Sequence, residues 1–299
     1  MSIWIAILIA IINGISTLAP FGASGVSAFA QNLLLPSVTN YSRPGFCAML
    51  NFGVAVVVAY KKRADIRAML HQYKSSFKHE YAEGHIPANV FLVKLILLTA
   101  FPAAVAFTVL LVRGAAIEKL YAPQFLIASA FVVQGVLLHF FGQSANAESL
   151  KETDFPIEFG GKRGGRWLRV LFFVALPNLL SVFPGFSGLA IVYMFTLLIG
   201  GTRSFAMKLS VYTFVLLSFL QETLFVIFFI INRLHTEQFW PYLIGPVVSG
   251  IFAHFGYNYF IAHKNDLRKK GATKTLKFVN FAVGAVMLII ALITLRPAG

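Results

Sequence analysis

The chain is predicted to be an all-α polytopic membrane protein of one integral domain, 1–299. It is built as two inverted repeats, each a re-entrant broken helix pair plus three transmembrane helices. Three observations predict this. Apolar residues make up 58% of the 299 positions and charged residues only 12%, where a soluble domain has about a quarter charged. The apolar residues fall in runs of membrane length separated by basic segments. Two runs are broken midway by proline, glycine and serine, at 18–25 and 182–188. Backbone that cannot pair with itself at membrane depth must be buried in protein or line a cavity. The two breaks therefore mark the expected binding site.

Taken in order, residues 3–33 read as an apolar helix, a break at 13–25 and a second short helix. The first residues lack a basic stretch and a small-residue cleavage site, so they are expected to remain as a membrane segment. A polar loop, 34–45, contains Pro36 and Pro44, and a short span, 46–60, ends at Lys61-Lys62-Arg63. Residues 61–88 read as a basic soluble loop, followed by spans at 89–113 and 122–142. These complete the first repeat, about 1–142. The connector 143–167 carries Gly160-Gly161-Lys162-Arg163-Gly164-Gly165. The second repeat, about 168–299, opens as the first does, with a broken segment at 168–200, and continues with spans at 209–231, 239–262 and 276–295. The span 239–262 has Gly245, Ser249, Gly250 and Gly256 at helical spacing around His254, which reads as a tight helix-packing face. Lys94, near a span end, is expected to snorkel.

If each broken segment enters and leaves on one side, the loops 61–88, 143–167, 201–208 and 263–275 share a side and hold 17 of the 25 lysines and arginines. That excess places them in the cytoplasm of a plasma-membrane protein. The first break then opens from outside and the second from inside, a transporter-like arrangement. The net charge of +14 is accounted for by basic loops facing anionic lipid. No nucleic-acid motif, Walker loop or metal-ligand spacing accompanies it. The single cysteine, Cys47, excludes an intrachain disulfide.

Each break ends in Ser-Gly before a short helix, Ser24-Gly25 and Ser187-Gly188, and each follows an asparagine, Asn13 or Asn178. A serine cap, free N–H groups and a helix dipole make an anion site. Two such ends facing each other would hold a phosphate without a charged side chain. Glu222, beside Gln221, is the one acidic residue inside a predicted span. An intramembrane carboxylate suggests a proton or cation role; the competing reading pairs it with Arg203 or Lys208.

The order of these features resembles the undecaprenyl-pyrophosphate phosphatase (bacitracin-resistance) family. The run from Asn13 to Gly25 resembles its E-G-x-T-E-F-L-P-x-S-S-x-G-H segment, and Leu50–Lys62 its Q-x-G-x-x-x-A-V-x-x-Y-x-K span. Phe101-Pro102-Ala103-Ala104-Val105 resembles I-P-A-x-x, and Val182–Ser187 the start of I-P-G-x-S-R-S-G. Leu198–Arg203 and Lys208-Leu209-Ser210 follow as L-G-x-x-R and R-F-S do. The resemblance implies inverted repeats with re-entrant helices and a polyprenyl (pyro)phosphate ligand. It also implies a phosphate site at Asn13, Thr17, Ser24, Gly25, Asn178, Gly185, Ser187, Gly188 and Arg203. The departures are chemical. Asn13 and Thr17 stand where the family has glutamates, Val26 where it has histidine, Gly22 and Ala23 where it has adjacent serines, and Gly188 where it has arginine.

Pyrophosphate cleavage needs a base for the nucleophile and neutralisation of the leaving charge. The expectation is thus a catalytically degenerate member that binds or translocates a polyprenyl phosphate carrier, with no cofactor. The alternative is an active diphosphatase with Ser187 as nucleophile and a divalent cation, Mg or Ca. A small-anion transporter is the third reading. Expected partners are the polyprenyl lipid, membrane lipids and, as an option, a second copy of the chain.

Overall fold

A computed structural model describes residues 3–18, 23–34, 42–77, 88–113, 124–141, 170–199, 201–231, 239–258 and 270–294. Pro20 and Gly22 of the first break, the connector 143–167 and the loops 114–121 and 232–238 lie outside them. Among the described residues there are eleven helices and no strand. They are α1 (Ile3–Ser16), α2 (Ala23–Leu34), α3 (Ser42–Lys61), α4 (Arg63–Ser76), α5 (Ala88–Val112) and α6 (Gln124–Phe141). The rest are α7 (Leu171–Val182), α8 (Gly188–Leu198), α9 (Arg203–Ile231), α10 (Phe239–Tyr257) and α11 (Lys270–Thr294). Three are long and apolar enough to cross a membrane on their own, within Pro44–Lys61, Asn89–Val112 and Arg203–Ile231. The chain is an all-α polytopic membrane protein.

Three helices begin earlier than the hydropathy suggests. The expected loop 61–88 contains α4, because Ile66, Met69 and Tyr73 recur at helical spacing and seat against Leu92 and Val93 of α5. The expected loop 201–208 is mostly the first turns of α9. The Thr202 hydroxyl accepts from the Phe205 N–H (3.2 Å) and caps that helix. The last basic loop gives way to α11 at Lys270.

The helices sort into two sets of parallel neighbours. In the first set, α1 and α10 run together. Ala6, Ile9 and Ala10 pack beside Tyr242 and Val248, and Gly14 lies against Ser249 and Ala253 further along. The third member, α3, meets α10 through Phe46 and Leu50 at Gly245, Gly53 at Pro246 and Gly250, and Lys61 at the Tyr257 ring. In the second set, α7 runs along α5: Val170 and Val174 beside Leu92–Ile96, Asn178 at Thr99, Val182 near Ala103. Here α9 is the third member, with Leu209 near the start of α5, and Leu217 and Phe225 near Phe107 and Leu111.

The two sets oppose one another through α3 and α9, which cross antiparallel. Gly45 faces Phe225, and the Phe52 and Phe219 rings meet edge-on at 5.1 Å. The middle helix of each set, α10 or α5, carries an interior proline, Pro246 or Pro102. The pair α6 and α11 runs antiparallel: Phe131 and Val132 sit at Gly284, and Gly135 at Phe281.

Candidate functional site

The second break is a helix brought to a stop in stages. Pro177 removes one backbone donor, and the helix passes from a π turn at Leu171–Ala175 to a tightened 3₁₀ turn at Leu179–Val182. Phe183 is extended and opens a type II turn, Phe183–Phe186. Pro184 and Gly185 are its central residues, Gly185 has φ +105°, and the Phe186 N–H reaches the Phe183 carbonyl (3.3 Å). Ser187 then caps α8, its hydroxyl accepting from the Ala190 N–H at 3.3 Å. Its own N–H donates to Gln134 Oε1 at 2.6 Å, and Gln134 Nε2 donates to Asn280 Oδ1 at 3.0 Å. So α6 and α11 hold the start of α8.

The first break ends α1 differently. The Thr17 hydroxyl donates to the Asn13 carbonyl (2.6 Å), which also accepts the Thr17 N–H (2.9 Å), and the Ser16 hydroxyl donates to the Ile12 carbonyl (2.7 Å), so both hydroxyls fold back on the last turn of the helix. The buried Asn13 amide joins four helices. Its Nδ2 donates to Ser249 Oγ (3.2 Å) and Asn51 Oδ1 (3.5 Å), and its Oδ1 accepts from the Ser27 hydroxyl (2.9 Å). Asn178, the matching residue, donates from Nδ2 to the Thr99 carbonyl at 3.0 Å, which leaves Oδ1 buried with no hydrogen-bond partner.

The two breaks touch. A Cβ on Gly25 would fall on the backbone nitrogen and Cα of Gly185, and one on Gly185 would meet Ile127 O at 2.8 Å and Ala130 Cβ at 2.7 Å. Bare backbone lies on bare backbone there, under α6. Beside this seam is a cavity of about 50 Å³, room for a few waters or one small headgroup. Thr17 and Ser24 reach it from the first break, and Asn178, Ser181, Ser187 and Gly188 from the second. Asn51 of α3 and Thr213, Ser218 and Gln221 of α9 complete the polar wall, and Phe186, Phe214 and Leu217 close it.

Of the expected site residues, Thr17, Ser24, Asn178, Ser187, Gly188 and Gln221 therefore converge. Asn13 stands behind Asn51, and Gly25 and Gly185 form the seam. Arg203 does not reach the cavity. It lies ten residues before Thr213 on the same helix, about 15 Å along its axis. The expected symmetry of serine caps fails as well. Ser187 is a cap, but Ser24 is the second residue of α2 because Ala23 is already helical. Glu222 is buried, is not part of the cavity wall, and has no hydrogen-bond partner at Oε2. Pairing with Lys208 or Arg203 is ruled out by distance: on one continuous helix they lie about 21 and 28 Å away.

Hydropathy alone passed over Gln134, Asn280, Thr213 and Ser218. Their signal is polar residues three to five apart inside otherwise apolar helices. Gln134→Leu removes the acceptor of the Ser187 N–H and one donor to Asn280 Oδ1. It is expected to cost about 1–3 kcal/mol, read as a lowered Tm in detergent.

Among the described residues the lining contains hydroxyls, amides and apolar side chains, and no charged side chain. The anion cradle is smaller than a bare helix end would give. Gln134 and the Ser187 hydroxyl take two donors, which leaves the N–H groups of Gly188 and Leu189. Mg and Ca prefer carboxylate oxygens. Among the described residues no three His, Cys, Asp or Glu side chains come together. The wall does not fit such an ion. Ser187 has no His, Lys or carboxylate beside it in the wall to take its proton. Among known proteins, a family model described as bacitracin resistance protein BacA matches residues 6–288. No curated protein matches the chain.

Proposed function

The chain belongs to the bacitracin resistance protein BacA family, and from that premise we propose that it is a catalytically degenerate member that binds a polyprenyl phosphate carrier by its headgroup and moves it across the membrane. The family points to undecaprenyl pyrophosphate phosphatase activity. One observation carries the departure: among the described residues, every polar side chain lining the cavity where the two breaks meet is a neutral hydroxyl or amide. Those groups hold a phosphate oxygen, but they supply no base, acid or cation for cleaving an anhydride. The cavity's size supports the same reading, since it admits a headgroup and leaves the tail to lipid. The two opposed sets, α1–α3–α10 and α7–α9–α5, support inverted repeats, with Asn13 matched to Asn178 and Pro246 to Pro102. The basic ends of α3 and α4 would then face the cytoplasm.

Phosphate release from undecaprenyl pyrophosphate by the purified protein, with Mg or Ca, decides between the readings. The expected result is no turnover above a protein-free control, alongside movement of a labelled polyprenyl phosphate between leaflets of proteoliposomes. Turnover that Ser187→Ala abolishes would establish the active diphosphatase. Absence of both lipid movement and lipid binding would favour a small-anion carrier.

A further inference from the structure

Helix α4 has three faces. Ile66, Met69 and Tyr73 pack on the bundle. Ala64, Asp65, Ala68 and Gln72 form a small and polar face. Between them runs a third line at every third or fourth residue: Arg63, Arg67, Leu70, Lys74, Phe77. Its apolar members are uncovered, Leu70 at 55% and Phe77 at 75% exposure. The line continues back onto α3 at Tyr60, 65% exposed, where the Arg63 guanidinium lies 4.5 Å from the ring centroid.

We infer that this line is an interfacial lipid-binding surface, on which Leu70 and Phe77 enter the headgroup layer and Arg63, Arg67 and Lys74 hold the phosphates of anionic phospholipids. Place and charge support one occupant. The span within α3 ends at Lys61 and α4 starts two residues later, so α4 begins where headgroups are. Three cations interleaved with two large apolar side chains on one narrow line complement a surface that is apolar below and anionic above. The carboxylate of α4 lies off this line: Asp65 is drawn back to Lys62 (3.5 Å) and the Tyr212 hydroxyl (3.1 Å).

The test uses the full-length protein with Cys47→Ser and one cysteine at a time, Leu70→Cys, Phe77→Cys, Ala68→Cys or Gln72→Cys, each carrying a nitroxide. Proteoliposomes contain phosphatidylcholine with or without phosphatidylglycerol. Labels at 70 and 77 are expected to favour oxygen over a water-soluble nickel chelate severalfold more than those at 68 and 72. They should move deeper with phosphatidylglycerol, and Arg67→Gln with Lys74→Gln should remove that lipid dependence. The inference is overturned if 70 and 77 are as open to nickel as 68. It is overturned equally if they ignore phosphatidylglycerol, or if they are shielded from both reagents, as under a second protein.

Discussion

Gly25→Ala is expected to be among the most damaging single-methyl changes in the described residues. The added Cβ falls on the Gly185 backbone, and Phe131 Cε2 stands 2.8 Å away on the other side. Neither neighbour is a flexible side-chain tip, so the two breaks must separate. The expected loss is on the order of 3 kcal/mol or more. Gly185→Ala adds strain at φ +105° to its clash with Ile127 O, and should match it. Gly135→Ala is the control, since its Cβ meets only the Phe281 ring, at 3.3 Å. Thermal unfolding in detergent should show both seam variants melting far below the wild type and Gly135→Ala within a few degrees of it. A seam variant that melts with the wild type would mean the breaks do not touch.

The second large effect is a gain. Gly188→Arg puts a guanidinium at the mouth of α8, where an added Cβ meets Ser181 Cβ at 3.0 Å and Asn178 Oδ1 at 3.3 Å. Asn178 Oδ1 has no hydrogen-bond partner, so the arginine brings a donor to an orphan acceptor as well as a charge to the cavity. One charge-assisted bond to a phosphate is worth about 1.5–3 kcal/mol. That is roughly ten- to a hundredfold in affinity for a polyprenyl phosphate. Hydrolysis should not return, because Asn13 and Thr17 supply no carboxylate. Unchanged affinity, measured by lipid titration, would place the headgroup elsewhere.

The fold and half of the site could be read from residue types. Proline and glycine at 184–185 demanded a turn, and Ser187 before a helical run demanded a cap; both are present. The rest depended on depth and partners, which hydropathy does not carry. Arg203 shares a helix with Gln221 but sits turns away from it, a separation that the rise per residue would have supplied. Gln134 looks like one amide in an apolar run until α8 is laid against it. The basic 61–88 segment hid α4 because its mean hydropathy is low, although Ile66, Met69 and Tyr73 carried the period.

The tie between Asn13 and Ser249 joins residues 236 positions apart. At ribosomal speeds that interval is roughly 10–50 s of synthesis. Helix α1 therefore enters the membrane long before its seat on α10 exists. Throughout that wait its asparagine lacks its Ser249 partner, and a helix of 14 residues is too short to span. Insertion of this chain is thus a closing operation, in which the last third completes the first. A stall or truncation after α9 should leave the N-terminus as the exposed, protease-sensitive part, while α5, α7 and α9 can already pack on one another.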